Sequence, residues 1–494
     1  MNYFEAMISD EERAKLPYLD TIPQLLKKCE EDYTDQIAVV DDLRELTYKE
    51  FCHDIGLRRT VLQEQQTAVG AHVGVMCRNN VNAMSWFMAV PSAGRVLIML
   101  PVSLSEQALS ALVSKFDIDL LVMDKEYLPL AKALNVTAIE AATKADVYTE
   151  CVDVQKTTAA AIFMTGGTTG VPKGAILNHG ALMRGAHNGT YRPAGTVFGN
   201  TYILMLPLCH IFGAIAGFMG CLYTGSTIYG CNDVRSGIMM IPRVKPTSLV
   251  LVPGIVEIIL SLARMKGVAF LGNLHTIICG AAPVPARLMK DFKTYNIHLF
   301  AGYGLTEGTN LTCANIDIDT KPHSMGKFYP HQEVRIVDGE LWIRGDNVMD
   351  GYYKDPEETK RVLEDGWLKT GDLVAIDEEG YVTITGRIKN LIILPNGENV
   401  SPEELEDLVN QSSIVRDCLV KERVVNGIPS LSIEVYPIDE VRAWNDIEKI
   451  KVAVTEEIQK INDCLPSYKK MNNIMIRTED FKRTGAMKID RRNS

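Results

Sequence analysis

The chain has 494 residues, 46% of them hydrophobic, and a formal net charge of −11. That length supplies enough apolar surface for two or more buried cores. The acidic balance excludes nucleic acid as the main partner, because binding a phosphate backbone needs a basic face.

The opening segment, MNYFEAMISDEERAKLPYLD, lacks the basic flank and apolar run of a secretory signal, so a cytoplasmic location is expected. From Ala71 the pattern reads strand (HVGVMC), helix (Asn79 to Gly94) and strand (VLIML), a βαβ signature that predicts a parallel sheet. The next apolar strand, AAIFM at 160–164, runs directly into Thr165, Gly166, Gly167, Thr168, Thr169 and Gly170, with Lys173 and Gly174 closing the run. Glycines let backbone amides approach phosphate oxygens, and hydroxyls with a lysine add donors and charge. The spacing is not that of a Walker loop, since Pro172 precedes Lys173 and Gly174 follows it.

Residues 193–232 contain no Asp, Glu, Lys or Arg. Pro207, His210 and seven glycines interrupt the stretch, which reads as buried core and pocket lining rather than a membrane span. Eleven cysteines occur without a C-x-x-C pair, and Cys209, Cys221, Cys231 and Cys279 stand in apolar segments, as buried reduced thiols do. A strand TIICGAA ends at Ala282, Pro285 opens a helix (PARLMKDFKTYN), and HLF begins another strand.

Gly302, Tyr303, Gly304, Leu305, Thr306 and Glu307 then bring a ring, a hydroxyl and a carboxylate together. The ring suits a base, the hydroxyl a phosphate and the carboxylate Mg²⁺. Asp372, after Thr370 and Gly371, is a carboxylate able to accept ribose hydroxyls. Beyond Arg387 the charge rises and a helix–strand series follows. Ser401 to Glu404 predicts a capping box with Pro402 at the first helical position. Ile447, Ile450, Val454, Ile458 and Ile461 predict one apolar helical face packed in a core.

Taken in order, eight segments resemble the adenylate-forming superfamily of acyl-CoA synthetases, aryl-CoA ligases, peptide-synthetase adenylation domains and luciferases. They are FMTGGTTGVPKGA (163–175), LPLCHIFG (206–213), GAAP (280–283), GYGLTE (302–307), GELWIRGDNVMDGYY (339–353), TGDL (370–373), GRIKNLIILPNGENVSPEELE (386–406) and TGAMKIDR (484–491). The resemblance implies an α/β fold. A large N-terminal domain, 1–386, would hold layered α/β subdomains with parallel-type sheets, and 387–494 would form a small mobile α+β domain.

The resemblance also implies roles. The loop Thr165 to Gly170 with Lys173 would hold the ATP phosphates, and Gly280, Ala281, Ala282 and Pro283 would lie along adenine between Gly302, Tyr303 and Gly304. Tyr303 would stack on the base, Thr306 would touch the α-phosphate, and Glu307 would coordinate Mg²⁺. Asp372 and Arg387 would bind the ribose, and Lys389 would be the hinge. His210 would stand between the acyl pocket and the entering thiol. Lys488 would contact the attacking carboxylate and the α-phosphate, offsetting charge in the transition state. Two departures stand out: Met487 where the family usually has glycine, and Asn390 where it usually has an acidic residue.

The implied activity is ATP-dependent formation of an acyl-adenylate with release of pyrophosphate, followed by transfer to the thiol of CoA. The alternative acceptor is the phosphopantetheine of a separate acyl-carrier protein, and a nucleotide-binding regulator that has lost catalysis is a third reading. Near LPLCHIFG no Asp is present to pair a substrate ammonium, which disfavours amino acids. Ile211, Phe212, Gly213, Val252, Tyr303 and Thr309 as lining suggest a hydrophobic acid. A monomer or homodimer without nucleic-acid partners is expected.

Overall fold

The computed structural model describes residues 3–491 except 166–171, 194, 317–319, 323, 395–397, 426–427 and 484–488. Its largest sheet has seven strands and contains the expected βαβ unit. Strands His72–Met76 and Val96–Met99 pair in parallel, joined through the helix Val81–Ser92. Asn80 starts that helix, its side chain accepting from the Ala83 amide and so satisfying one of the unpaired first-turn donors. Strand Ala159–Thr165 lies parallel to Val96–Met99, then the chain doubles back antiparallel as Lys173–Asn178, with Thr165 opposite Lys173. The glycine-rich run therefore joins two strands of one sheet, where a Walker loop joins a strand to a helix.

A second sheet begins with the parallel strands Ser248–Leu251, Thr276–Gly280 and His298–Leu305 and continues antiparallel through Asn310–Asn315 to Lys327–Phe328. The uncharged stretch supplies strand Thr201–Leu204, the π-helical turn Phe212–Met219, helix Gly220–Tyr223 and strand Thr227–Gly230, all largely buried. No helix among the described residues is long and apolar enough to cross a membrane. Cys221, Cys231 and Cys279 are buried as expected, whereas Cys209 is half-buried.

A separate hydrophobic core begins at Leu394. It is built on strands Val415–Val425, Ile428–Pro437 and Asn473–Ile476 with helices Pro402–Val409 and Ile447–Asp463. Three local expectations need correction. Ile450, Val454 and Ile458 are buried, but Ile447, the first residue of its helix, is 50% exposed, so burial begins a turn later than the spacing suggests. Ser401 does cap the Glu404 amide, yet the Glu404 carboxylate turns to Lys469 Nζ at 2.7 Å, a charged partner that displaces the second half of the capping box. Pro285 takes the cap position, with extended backbone, and the helix begins at Ala286.

Candidate active site

Where the glycine-rich run ends, Lys173 stands at the start of its strand and forms an ion pair with Glu358. Gly174 must follow it, because a Cβ there would fall 2.5 Å from the Phe116 ring and 2.6 Å from Ile162 Cγ2. The Lys173 ammonium also stands 5.1 Å from the centre of the Tyr352 ring, and the Tyr352 hydroxyl donates to Glu307 Oε1 at 2.7 Å. Burial and the Glu307 charge push the Tyr352 phenol up, so its proton stays available for that bond. The Arg361 hydrogen bond, helped by Lys173 and opposed by burial, pulls Glu358 down to about 2.

In the second sheet, the parallel pair Gly280–Gly302 brings the ends of two strands so close that a Cβ on Gly280 would lie 2.6 Å from Gly302 O. Gly304 is more constrained still: its Cβ would overlap Asn310 O at 1.5 Å. Around these ends three non-glycine residues hold left-handed backbone, Ala281 (φ 66°), Thr309 (φ 48°) and Asn310 (φ 87°). Strain of this kind persists where surrounding structure enforces it, and it clusters at functional sites. Tyr303 and Gly304 line a cavity of about 310 Å³ together with Ala281, Ala282, Pro283, Asp372 and Arg387.

Asp372 and Arg387 face each other across neighbouring antiparallel strands. Arg387 Nε lies 2.5 Å from Asp372 Oδ1, and the Tyr303 hydroxyl donates to Oδ2 at 2.5 Å. Burial opposes the Arg387 cation most, but Asp372, Tyr303 and Glu403 together hold the guanidinium above its ordinary value.

His210 stands half-buried at the head of the π-helical turn, its amide donating to Pro207 O at 3.0 Å and its carbonyl accepting from the Ala214 amide. Rare π-helical geometry of this kind is found frequently at functional sites. Phe212, two residues on, abuts the end of the strand Thr276–Gly280: a Cβ on Gly280 would lie 3.3 Å from Phe212 Cζ. Val252 and Thr309 are buried. Lys389 lies exposed in the short turn Ile388–Asn390. Asn390 donates to Glu403, which accounts for one departure from the family pattern: an acidic side chain at 390 would face Glu403 charge against charge.

The sequence-predicted residues Thr165, Lys173, Gly280, Ala281, Ala282, Pro283, Gly302, Tyr303, Gly304, Thr306, Glu307, Asp372 and Arg387 thus lie on neighbouring strand ends and turns. Gly166, Gly167, Thr168, Thr169, Gly170 and Lys488 lie outside the described residues. The residues flanking Lys488 are placed, however. Arg483 and Ile489 form an antiparallel bridge, the Asp490 amide donates to Lys482 O at 2.8 Å, and Arg483, Ile489 and Arg491 line the same cavity as Tyr303 and Asp372. Sequence reasoning missed Tyr352 and Glu358. Both fall in GYYKDPEE, where a tyrosine pair beside acidic residues was the available signal.

Together the fold and site place one cavity between the strand ends of a large α/β body and a small C-terminal unit. The family profile described as AMP-binding enzyme matches residues 26–353, and that of the AMP-binding enzyme C-terminal domain matches 389–494. The peroxisomal OPC-8:0-CoA ligase 1 of Arabidopsis thaliana is 33% identical over 281 residues, 53% of this chain and about half (51%) of that protein. The putative acyl-CoA synthetase YngI of Bacillus subtilis is 27% identical across 95% of this chain and 96% of its own.

Among solved structures, the anthranilate CoA ligase AuaEII in complex with anthranoyl-AMP superposes with a TM-score of 0.85 at 19% identity, covering 97% of both chains. ATP-bound MatB from Rhodopseudomonas palustris gives 0.82 at 23% identity, covering 96% of this chain and 97% of that one. At such identities these two establish the shared fold. The chain belongs to the AMP-binding family of adenylate-forming enzymes, and the relatives that match it are named as CoA ligases and acyl-CoA synthetases.

Proposed function

We propose that the protein is an AMP-forming acid–thiol ligase that joins a carboxylic acid of apolar body to CoA. A carboxylate oxygen attacks the α-phosphorus of ATP, and the bond to pyrophosphate breaks. The CoA thiol, losing its proton, then attacks the acyl carbon and AMP leaves. The observation that carries this reading is the single cavity lined both by Tyr303, Asp372 and Arg387 and by Arg483, Ile489 and Arg491, which flank Lys488. Anion attacking anion requires cations and oriented donors, so positioning and electrostatics dominate the catalysis.

Among the described residues no three His, Cys, Asp or Glu side chains converge as a metal cage. Glu307, tethered by Tyr352, is the single carboxylate expected of a site that shares Mg²⁺ with substrate phosphates. Magnesium there would neutralise phosphate charge. The domains would be 1–386 and 387–494, supported by the second core beginning at Leu394. The test is pyrophosphate release over a panel of short, medium, long-chain and aromatic acids, with and without CoA. Acid-dependent release plus a soluble thioester is the expected result. Release whose acyl group passes only to a carrier protein would move the acceptor, and no release with any acid would overturn the reading.

Glu358 competes with phosphate for Lys173. Glu358→Gln should therefore lower the KM for ATP several-fold in ATP–pyrophosphate exchange. A raised KM would instead make Glu358 a group that positions Lys173.

The two units are also tied by charge. Arg416 of the small unit reaches Glu257 Oε2 of the large one at 3.2 Å, and Glu257 is paired as well with Arg287. All three are largely buried, so screening is weak. The pair favours the orientation that sets Arg483, Ile489 and Arg491 at the cavity lined by Tyr303 and Asp372. Removing it with Glu257→Gln should cost that orientation roughly 1 kcal/mol, slowing adenylation about fivefold while thioester formation from supplied acyl-adenylate stays unchanged. Equal slowing of both half-reactions would refute the assignment.

A further inference from the structure

Of the two departures from the family pattern, Asn390 stands at the junction of the two units. The chain leaves the large body at Arg387, the last residue of the strand Val382–Arg387, turns at Ile388–Asn390 and enters the second core at Leu394. Asn390 Nδ2 donates to Glu403 Oε1, in the first turn of the helix Pro402–Val409. An ionised carboxyl at 390 has no N–H to give, whereas the asparagine amide has two. The exchange turns a repulsive contact into a link.

Glu403 holds more than the turn. Its Oε2 accepts from Ser401 Oγ at 3.3 Å, and its Oε1 lies 3.3 Å from Arg491 Nη2. Arg491 pairs also with Glu406, whose other oxygen accepts from the Val420 amide at 2.6 Å. The two carboxylates are only 16% and 10% exposed, so screening of their pairs with Arg491 is weak. A continuous polar path thus runs from the inter-unit turn through Glu403 to Arg491, which follows Lys488 closely in the chain. On the other side of Lys488, Arg483 is held by Asp417 at 2.6 Å and Asp480 at 3.0 Å. Glu403 and Arg491 line the same cavity as Asp372 and Arg387, and the Glu403 charge helps to hold the Arg387 cation.

We propose that Glu403 is a positioning residue for adenylation: by holding both Asn390 and Arg491, it fixes the chain that follows Lys488 relative to Asp372 and Arg387. This rests on the ligase reading above, with Lys488 acting in the first half-reaction. A catalytic cation works only where its supporting groups hold it in place, because a displacement of about 1 Å is costly to a reaction that depends on alignment. Glu403 gives that support at the point where the chain crosses between the units, so the setting of the turn and the setting of Arg491 move together.

The test is single-turnover measurement of each half-reaction, with the best acid of the panel, in Glu403→Ala, Glu403→Gln, Asn390→Asp and the double variant Asn390→Asp/Glu403→Gln. Glu403→Ala should form the acyl-adenylate about tenfold more slowly, the effect of losing a hydrogen bond to a charged group. Thioester formation from supplied acyl-adenylate should stay at the wild-type rate. Glu403→Gln still accepts from Asn390 but loses its charge for Arg491, so its loss should be smaller. Asn390→Asp should slow adenylation although Glu403 is intact. The double variant, in which donor and acceptor change places, should recover part of that loss, and this rescue stands even if Glu403→Ala does not fold. Equal slowing of both half-reactions, or losses in the double variant that simply add, would overturn the proposal while the wild type still adenylates. A wild type that adenylates no acid would overturn the ligase reading, and the proposal with it.

Discussion

Replacing Lys488 with alanine should slow acyl-adenylate formation by about 10²–10³-fold, the loss typical of removing one preorganised charge from a transition state. Thioester formation from supplied acyl-adenylate should continue at close to the wild-type rate. The split follows from where charge builds. During adenylation a carboxylate approaches an already anionic phosphate, and a cation between them lowers the barrier directly. During thiol transfer the carbon under attack is an activated carbonyl and AMP departs, so that cation has less to offset. The backbone supports the assignment through its neighbours: the Arg483–Ile489 bridge brings both flanks of the segment to the cavity shared with Tyr303 and Asp372. Single-turnover assays of the two half-reactions measure the split. Adenylation at the wild-type rate in Lys488→Ala would remove that lysine from the mechanism, and equal losses in both steps would make its role structural.

Much of this site was legible in the sequence because its groups serve local backbone needs. Gly174 and Gly304 occupy positions where any Cβ would collide with a neighbour, so composition alone marked those loops. The strands at His72 and Thr276 were equally plain, since a buried parallel sheet demands continuous apolar runs. What escaped were relations across long sequence distances. Lys173 and Glu358 are separated by 185 residues, and nothing in either neighbourhood announces the other. The same holds for Glu257 with Arg416.

The second large effect is expected at Asp372. Its side chain is 1% exposed and gives its oxygens to Arg387 and Tyr303. Asp372→Ala strands the Arg387 cation and leaves the Tyr303 hydroxyl without its acceptor at the edge of the cavity that all three residues line. Breaking a buried pair from one side costs about 3–5 kcal/mol. Arg387 is 38% exposed and recovers part of that from water. A net loss of about 2–3 kcal/mol corresponds to roughly 10²-fold in kcat/KM for ATP, measured by ATP–pyrophosphate exchange at saturating acid. Asp372→Asn keeps an acceptor for Tyr303 but loses the charge, so its loss should fall between wild type and alanine. If Asp372 bounds the nucleoside, the KM for ATP rises while that for the acid is nearly unmoved. A rise confined to the acid would mean that this cavity holds the acyl group, and the positions of the two substrates along the strand ends would have to be exchanged.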